Sequence, residues 1–159
     1  MVLEAKKMVL DDRQGKARSD VLEQARKLLV KAMKLGKTLY VRLSNTACDF
    51  NNKFSGADTL PLAMFDAQAI ATFNDRFGSA AAEVGDEEAR HVGANLWGAD
   101  SPFAAVLRED ETDKGSFVPR RGFEVVLCTH LGATDFLDLL AGKLPMDKLQ
   151  PIAAVHPRS

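Results

Sequence analysis

Apolar residues recur along this chain in two periods, and the change from one to the other marks its first firm elements. From Ser19 onward, Val21, Leu22, Ala25, Leu28, Leu29, Ala32 and Met33 repeat at helical spacing. Asp20 followed three residues later by Glu23 has the form of a capping box, which places a helix start at about residue 19. The opposite face carries Arg26, Lys27, Lys31 and Lys34. Gly36 then stands where a helix commonly stops. Beyond it, Leu39, Val41 and Leu43 alternate with Thr38, Tyr40 and Arg42, a strand with one apolar side and one mixed side. Residues 6–18 are polar and charged and read as a loose lead-in.

After Ser44 the pattern dissolves. Asn51-Asn52, Ser55-Gly56 and Leu60-Pro61 are loop chemistry. Phe65, Ala69, Ile70, Phe73 and Phe77 trace a second helix face, with Gly78 or Gly85 as its expected end. Ser101-Pro102 offers a capping hydroxyl and a proline for a further helix that carries Phe103, Val106 and Leu107. The charge-rich segments 85–88 and 108–115 read as exposed connections. In the last third, Phe123, Val125, Val126, Leu127 and Cys128 form a nearly continuous apolar run, which predicts a strand buried on both faces of a parallel sheet. Thr134 is placed to cap a short helix with Phe136, Leu137, Leu139 and Leu140, closed by Gly142, and Ile152 to Val155 offer a third strand. Strands separated by helices predict an α/β fold with a small, mainly parallel sheet. The expected organisation is a polar lead-in at 1–18 and a single α/β domain at 19–159, with a long irregular insertion at about 44–120. Three strands are few for a sheet of this class, so either the middle segment supplies another or a partner completes one edge.

Composition narrows the function classes. A chain of 159 residues, 46% hydrophobic, can bury a core of its own. Its 21 basic residues are balanced by 22 acidic ones, and one Trp and one Tyr supply no stacking platform, so nucleic acid is not an expected partner. The apolar runs fall short of the roughly 18 residues that read as a membrane span. Glu4, Lys6 and Lys7 interrupt the N-terminal apolar positions, unlike the core of a secretory signal. Two isolated cysteines, Cys48 and Cys128, suit a reducing compartment, and the expected address is cytoplasmic.

Candidate chemistry is sparse. Gly36-Lys37-Thr38 is the tripeptide of a phosphate-binding loop, but that loop runs from strand to helix, whereas this one runs from helix to strand, and Lys31 occupies the place of the first glycine. It reads as a helix stop. Cys128, Thr129 and His130 lie at the predicted C-terminal end of a strand, where α/β sheets hold ligands. Cys128 is a candidate nucleophile, with His91 or His156 as the conceivable base, yet no spacing links them, and a structural thiol is the simpler reading. Three separated histidines without a Cys-x-x-Cys or His-Glu-x-x-His pattern predict no metal site. Glu109, Asp110, Glu111 and Asp113 lack the order of a calcium loop and read as a solvated run.

Two stretches carry a family resemblance. Ala32-Met33-Lys34-Leu35-Gly36-Lys37-Thr38-Leu39 matches an Ala-x-x-x-Gly-Lys-x-Leu step from helix to strand, and Phe123 to Leu131 matches Phe-x-x-x-Leu-x-Thr-x-Leu, with Leu149-Gln150-Pro151-Ile152 closing the order. Residues 20–43 and 120–155 thereby resemble the second half of an AAA-type module of dynein heavy chains and related axonemal proteins. The resemblance implies an incomplete P-loop-type sheet, with Thr129 in the sensor position near a nucleotide phosphate. It also implies a cytoskeletal or ciliary setting. The chain departs from the family in lacking the preceding strand and phosphate-binding loop, and in having Ser44-Asn45 where an acidic pair is expected.

The leading expectation is a non-catalytic module that binds other proteins within a larger assembly and needs no cofactor. Its expected contact is an exposed sheet edge or the basic face formed by Arg26, Lys27 and Lys31. A degenerate nucleotide-binding domain using Thr129 is the alternative, and a small enzyme using Cys128 a second one.

Overall fold

The computed structural model describes residues 1–83, 101–108 and 120–152, the side chains of 76–83 excepted. Three strands, β1 (Val2–Glu4), β2 (Thr38–Ser44) and β3 (Glu124–Thr129), form a parallel sheet in the order β1-β2-β3. Helices α1 (Ala5–Arg13) and α2 (Arg18–Leu35) connect the first two strands, and α3 (Ala67–Glu83) lies between β2 and β3 in the chain. A short helix, α4 (Phe136–Leu140), follows β3. The small parallel α/β sheet flanked by helices is as expected.

Helix α2 buries Val21, Ala25, Leu29, Ala32 and Met33, the stripe its spacing predicts. Its end is a Schellman closure: Gly36 adopts φ 58°, and the backbone N–H groups of Gly36 and Lys37 donate to the carbonyls of Met33 and Ala32 at 3.3 and 3.0 Å. The capping box is not used. The helix starts one residue earlier than read, from Ala17, and the Glu23 carboxylate turns to Arg26 instead. Strand β2 keeps its alternation, with Leu39, Val41 and Leu43 buried and Tyr40 and Arg42 exposed.

Four expectations are corrected. Residues 1–18 are no lead-in: Leu3 is buried in strand β1, and α1 tucks Ala5 and Met8 into the core. Strand β3 is not buried on both faces, because the described helices pack on one face only: Val126 stays exposed while Val125 and Leu127 pack on the core. Ser101-Pro102 opens only the 3-10 turn Ala104–Val106, although the Ser101 hydroxyl does accept from the Phe103 N–H at 3.3 Å. The expected third strand starts at Ile152, which is outside any strand and exposed, and its residues 153–155 lie outside the described residues.

The core lies on one side of the sheet. Phe73 of α3, Phe103 and Phe123 meet edge to face at centroid distances of 5.4, 5.7 and 6.3 Å, drawing α3, the 101–108 segment and the approach to β3 together. Phe50 and Phe65 form a second edge-to-face pair at 5.1 Å. Backbone N–H groups of Phe50 and Asn51 both donate to the Lys143 carbonyl, which anchors the loop after β2 near the end of α4. Asp66 caps α3 by accepting from the N–H groups of Gln68 and Ala69. With consecutive strands adjacent and crossovers of the usual right hand, the helices of both connections fall on the same side of the sheet. Among the described residues, no helix layer covers the opposite face.

Candidate functional site

That uncovered face is a grid set by the strand register. Val2 pairs with Tyr40, and Tyr40 with Val126, so the three form one row across all three strands. They are 48%, 44% and 38% exposed, which is unusual for large apolar groups in a parallel sheet. Toward the C-terminal strand ends, the next row is Glu4, Arg42 and Cys128. Arg42 makes a bidentate ion pair with Glu4 across the strands, and this contact raises the guanidinium pKa above its ordinary value. On the other side of the apolar row, Thr38 pairs with Glu124. The face therefore has an apolar centre and a cation with its partner acid on one side; on the other stands Glu124, with the Met1 ammonium donating to the Thr38 carbonyl at 2.9 Å at the β1 end.

The residues singled out as a basic contact do not form one. Arg26 is 0% exposed; its Nε and Nη2 hold Glu23 at 2.9 and 2.6 Å, and its Nη1 donates to the Val106 carbonyl at 2.8 Å. Hydrogen bonding to Arg26, helped by the nearby charge of Arg108, holds the Glu23 carboxyl below the usual carboxylate range. Arg26 is thus a clamp between α2 and the 101–108 turn, while Lys27 and Lys31 remain exposed on the helix. Val30 and Met33 follow at four and seven positions, so Arg26 lies on the flank of the apolar stripe, a signal that its burial was readable.

The Thr129 hydroxyl, expected near a phosphate, is engaged locally. It donates to the Ser44 carbonyl at 3.2 Å and accepts from the Leu131 N–H at 3.1 Å, next to a register shift between Arg42 and Ser44. The Lys37 N–H closes α2, so the Gly36-Lys37-Thr38 run has no free backbone cradle. Cys128 is half-buried on the open face, across from Arg42. His130 is exposed and spends its backbone N–H on the Ser44 carbonyl at 2.8 Å. Cys48 is fully buried, and burial, with the nearby Asp49 charge, pushes its thiol up to about 12. His91, His156, Glu109, Asp110, Glu111 and Asp113 lie outside the described residues.

A cleft of about 460 Å³ opens beside the start of α2, between Asp20, Glu23, Asp58 and Arg108. Arg108 pairs with Glu23 at 3.4 Å and Asp58 at 3.7 Å, so its guanidinium is already engaged by two of the cleft's carboxylates. Among the described residues, no cluster of His, Cys, Asp and Glu could hold a metal ion, and no helix is long and apolar enough to cross a membrane. No protein-family model, curated protein or solved structure matches the chain.

Proposed function

We propose that the chain is a non-catalytic protein-binding module and that the open face of its sheet is the docking surface. The observation that carries this reading is the exposed row Val2, Tyr40 and Val126, in register across three parallel strands. Contiguous apolar groups left in water on an otherwise packed sheet are the mark of an interface. The contact moves from the sheet edge and the basic helix to the sheet face, because Arg26 is consumed inside the fold. A nucleotide site is a weaker reading, since the Thr129 hydroxyl and the Lys37 N–H are both spent on the fold's own carbonyls. The setting proposed with it, on the resemblance to dynein-type modules, is a cytoplasmic assembly of the cytoskeleton or cilium.

The test is the size of the species that carries the chain in an extract of its own cells. It is expected to migrate well above its 17.3 kDa mass, and Tyr40→Glu is expected to release it from that species without changing its melting temperature. A chain that migrates alone, or a Tyr40→Glu variant that stays in the larger species, contradicts the reading.

A further inference from the structure

We infer that the occupant of the open face is a second copy of this chain, stacked face to face about a two-fold axis that runs across the strands along the Val2–Tyr40–Val126 row. The inference rests on the docking reading above and names the partner.

The charge pattern of the face is complementary to itself. Arg42 lies two residues beyond Tyr40 toward the strand ends, and Glu124 lies two residues before Val126. Each is therefore about 7 Å from the apolar row, on opposite sides of it. A rotation about that row brings the Arg42 side of one copy over the Glu124 side of the other. Arg42 then faces Thr38 of the second copy, with Glu124 one strand over, about 5 Å to the side and within reach of the guanidinium. Val2, Tyr40 and Val126 meet their own counterparts, burying the whole apolar row at the centre and leaving charge at the rim. A two-fold axis running along the strands gives the opposite result: it sets Arg42 against Arg42, a like-charge contact. The face thus selects one of the two simple stackings, as an isologous interface must.

This geometry also fixes Cys128. Arg42 and Cys128 share a row, so rotation places Cys128 over Glu124 of the second copy, while the two Cys128 residues lie about 13 Å apart along the strands. Stacked sheets stand about 10 Å apart, so Cys128 and position 124 of the second copy are too far apart for a disulfide but within a short bismaleimide, and the two Cys128 residues are beyond both.

The experiment uses the purified full chain. Sedimentation equilibrium is expected to give twice the 17.3 kDa chain mass, and Tyr40→Glu is expected to raise the dimer dissociation constant at least tenfold with an unchanged melting temperature. Glu124→Cys is expected to be captured as a dimer by the short bismaleimide through Cys128 of the other copy, whereas the unsubstituted chain is not. Should Tyr40→Glu fail to fold, the Glu124→Cys arm stands by itself, because Glu124 is exposed. A pure chain that stays monomeric overturns the second-copy inference; if it is nevertheless released from a larger cellular species by Tyr40→Glu, protein docking stands with a different partner. A dimer in which Glu124→Cys is not captured, or in which the unsubstituted chain cross-links as readily, overturns the axis.

Discussion

Gly36 separates the two meanings of its tripeptide. At φ 58° it sits in the left-handed region, and a Cβ there would stand 2.4 and 2.7 Å from the carbonyl oxygens of Arg121 and Arg120. Gly36→Ala therefore meets both the left-handed penalty, about 1–2 kcal/mol, and a backbone collision, and is expected to lower stability by at least about 2 kcal/mol in denaturant unfolding. Lys37→Ala, at an exposed side chain whose backbone does the closing, is expected to stay within about 0.5 kcal/mol of the parent. A phosphate-binding loop predicts the reverse importance for function. The cysteines differ in the same local way. Cys48 is buried with its thiol pushed up to about 12, and Cys128 is half-buried on the open face. Iodoacetamide at pH 8 is expected to label Cys128 in the folded chain and Cys48 only after unfolding, with peptide mass mapping as the readout. Labelling of Cys48 first would contradict its placement in the core.

The helix and strand around Gly36 were legible because both periods run long enough to be read: α2 over 18 residues and β2 over 7. Strand β1 was not, since three residues with one buried position carry no period, and Lys6 and Lys7 immediately after it look like solvent. What makes Val2–Glu4 a strand is its neighbour β2, a tertiary cause. The Val125-Val126-Leu127 run misled for a related reason: continuous apolar sequence looks the same in a strand covered on both faces and in one whose second face no described element covers. Tyr40, the only large aromatic on the polar side of β2, was the available sign of that face. At the same scale, Arg26 joins α2 to the 101–108 turn. Glu23→Gln is expected to cost about 1.5–3 kcal/mol, the range for hydrogen bonds to a charged group. Because the folded Glu23 carboxyl lies below its ordinary value of 4.5, its contribution is complete above that pH and is lost as pH falls through the lower folded value. Unfolding measured from pH 6 to 3 is expected to show the parent losing its advantage over Glu23→Gln in that acidic window. A constant difference would contradict the ion pair.

For the molecule as a whole, a strand order of β1-β2-β3 explains why a parallel sheet, ordinarily sandwiched, has a single layer of helices among the described residues. Phe103 illustrates how that one-sided core is held: it is fully buried against Phe73 and Phe123, and Phe103→Ala is expected to cost about 3–5 kcal/mol in denaturant unfolding. A nucleotide is not expected to stabilise the fold. A ligand at a hundred times its dissociation constant adds about 2.7 kcal/mol, so a melt with Mg-ATP or Mg-ADP that superimposes on the ligand-free melt agrees with the spent Thr129 hydroxyl, and an upward shift contradicts it. The measurement that bears most directly on the docking face is photo-cross-linking in the chain's own cells, from a benzophenone side chain placed at Val126 on the open face or at Lys31 on the exposed side of α2. Discrete protein adducts from position 126 and none from position 31 are the predicted result; adducts from position 31 alone, or from neither position, contradict a module that works through the open face of its sheet.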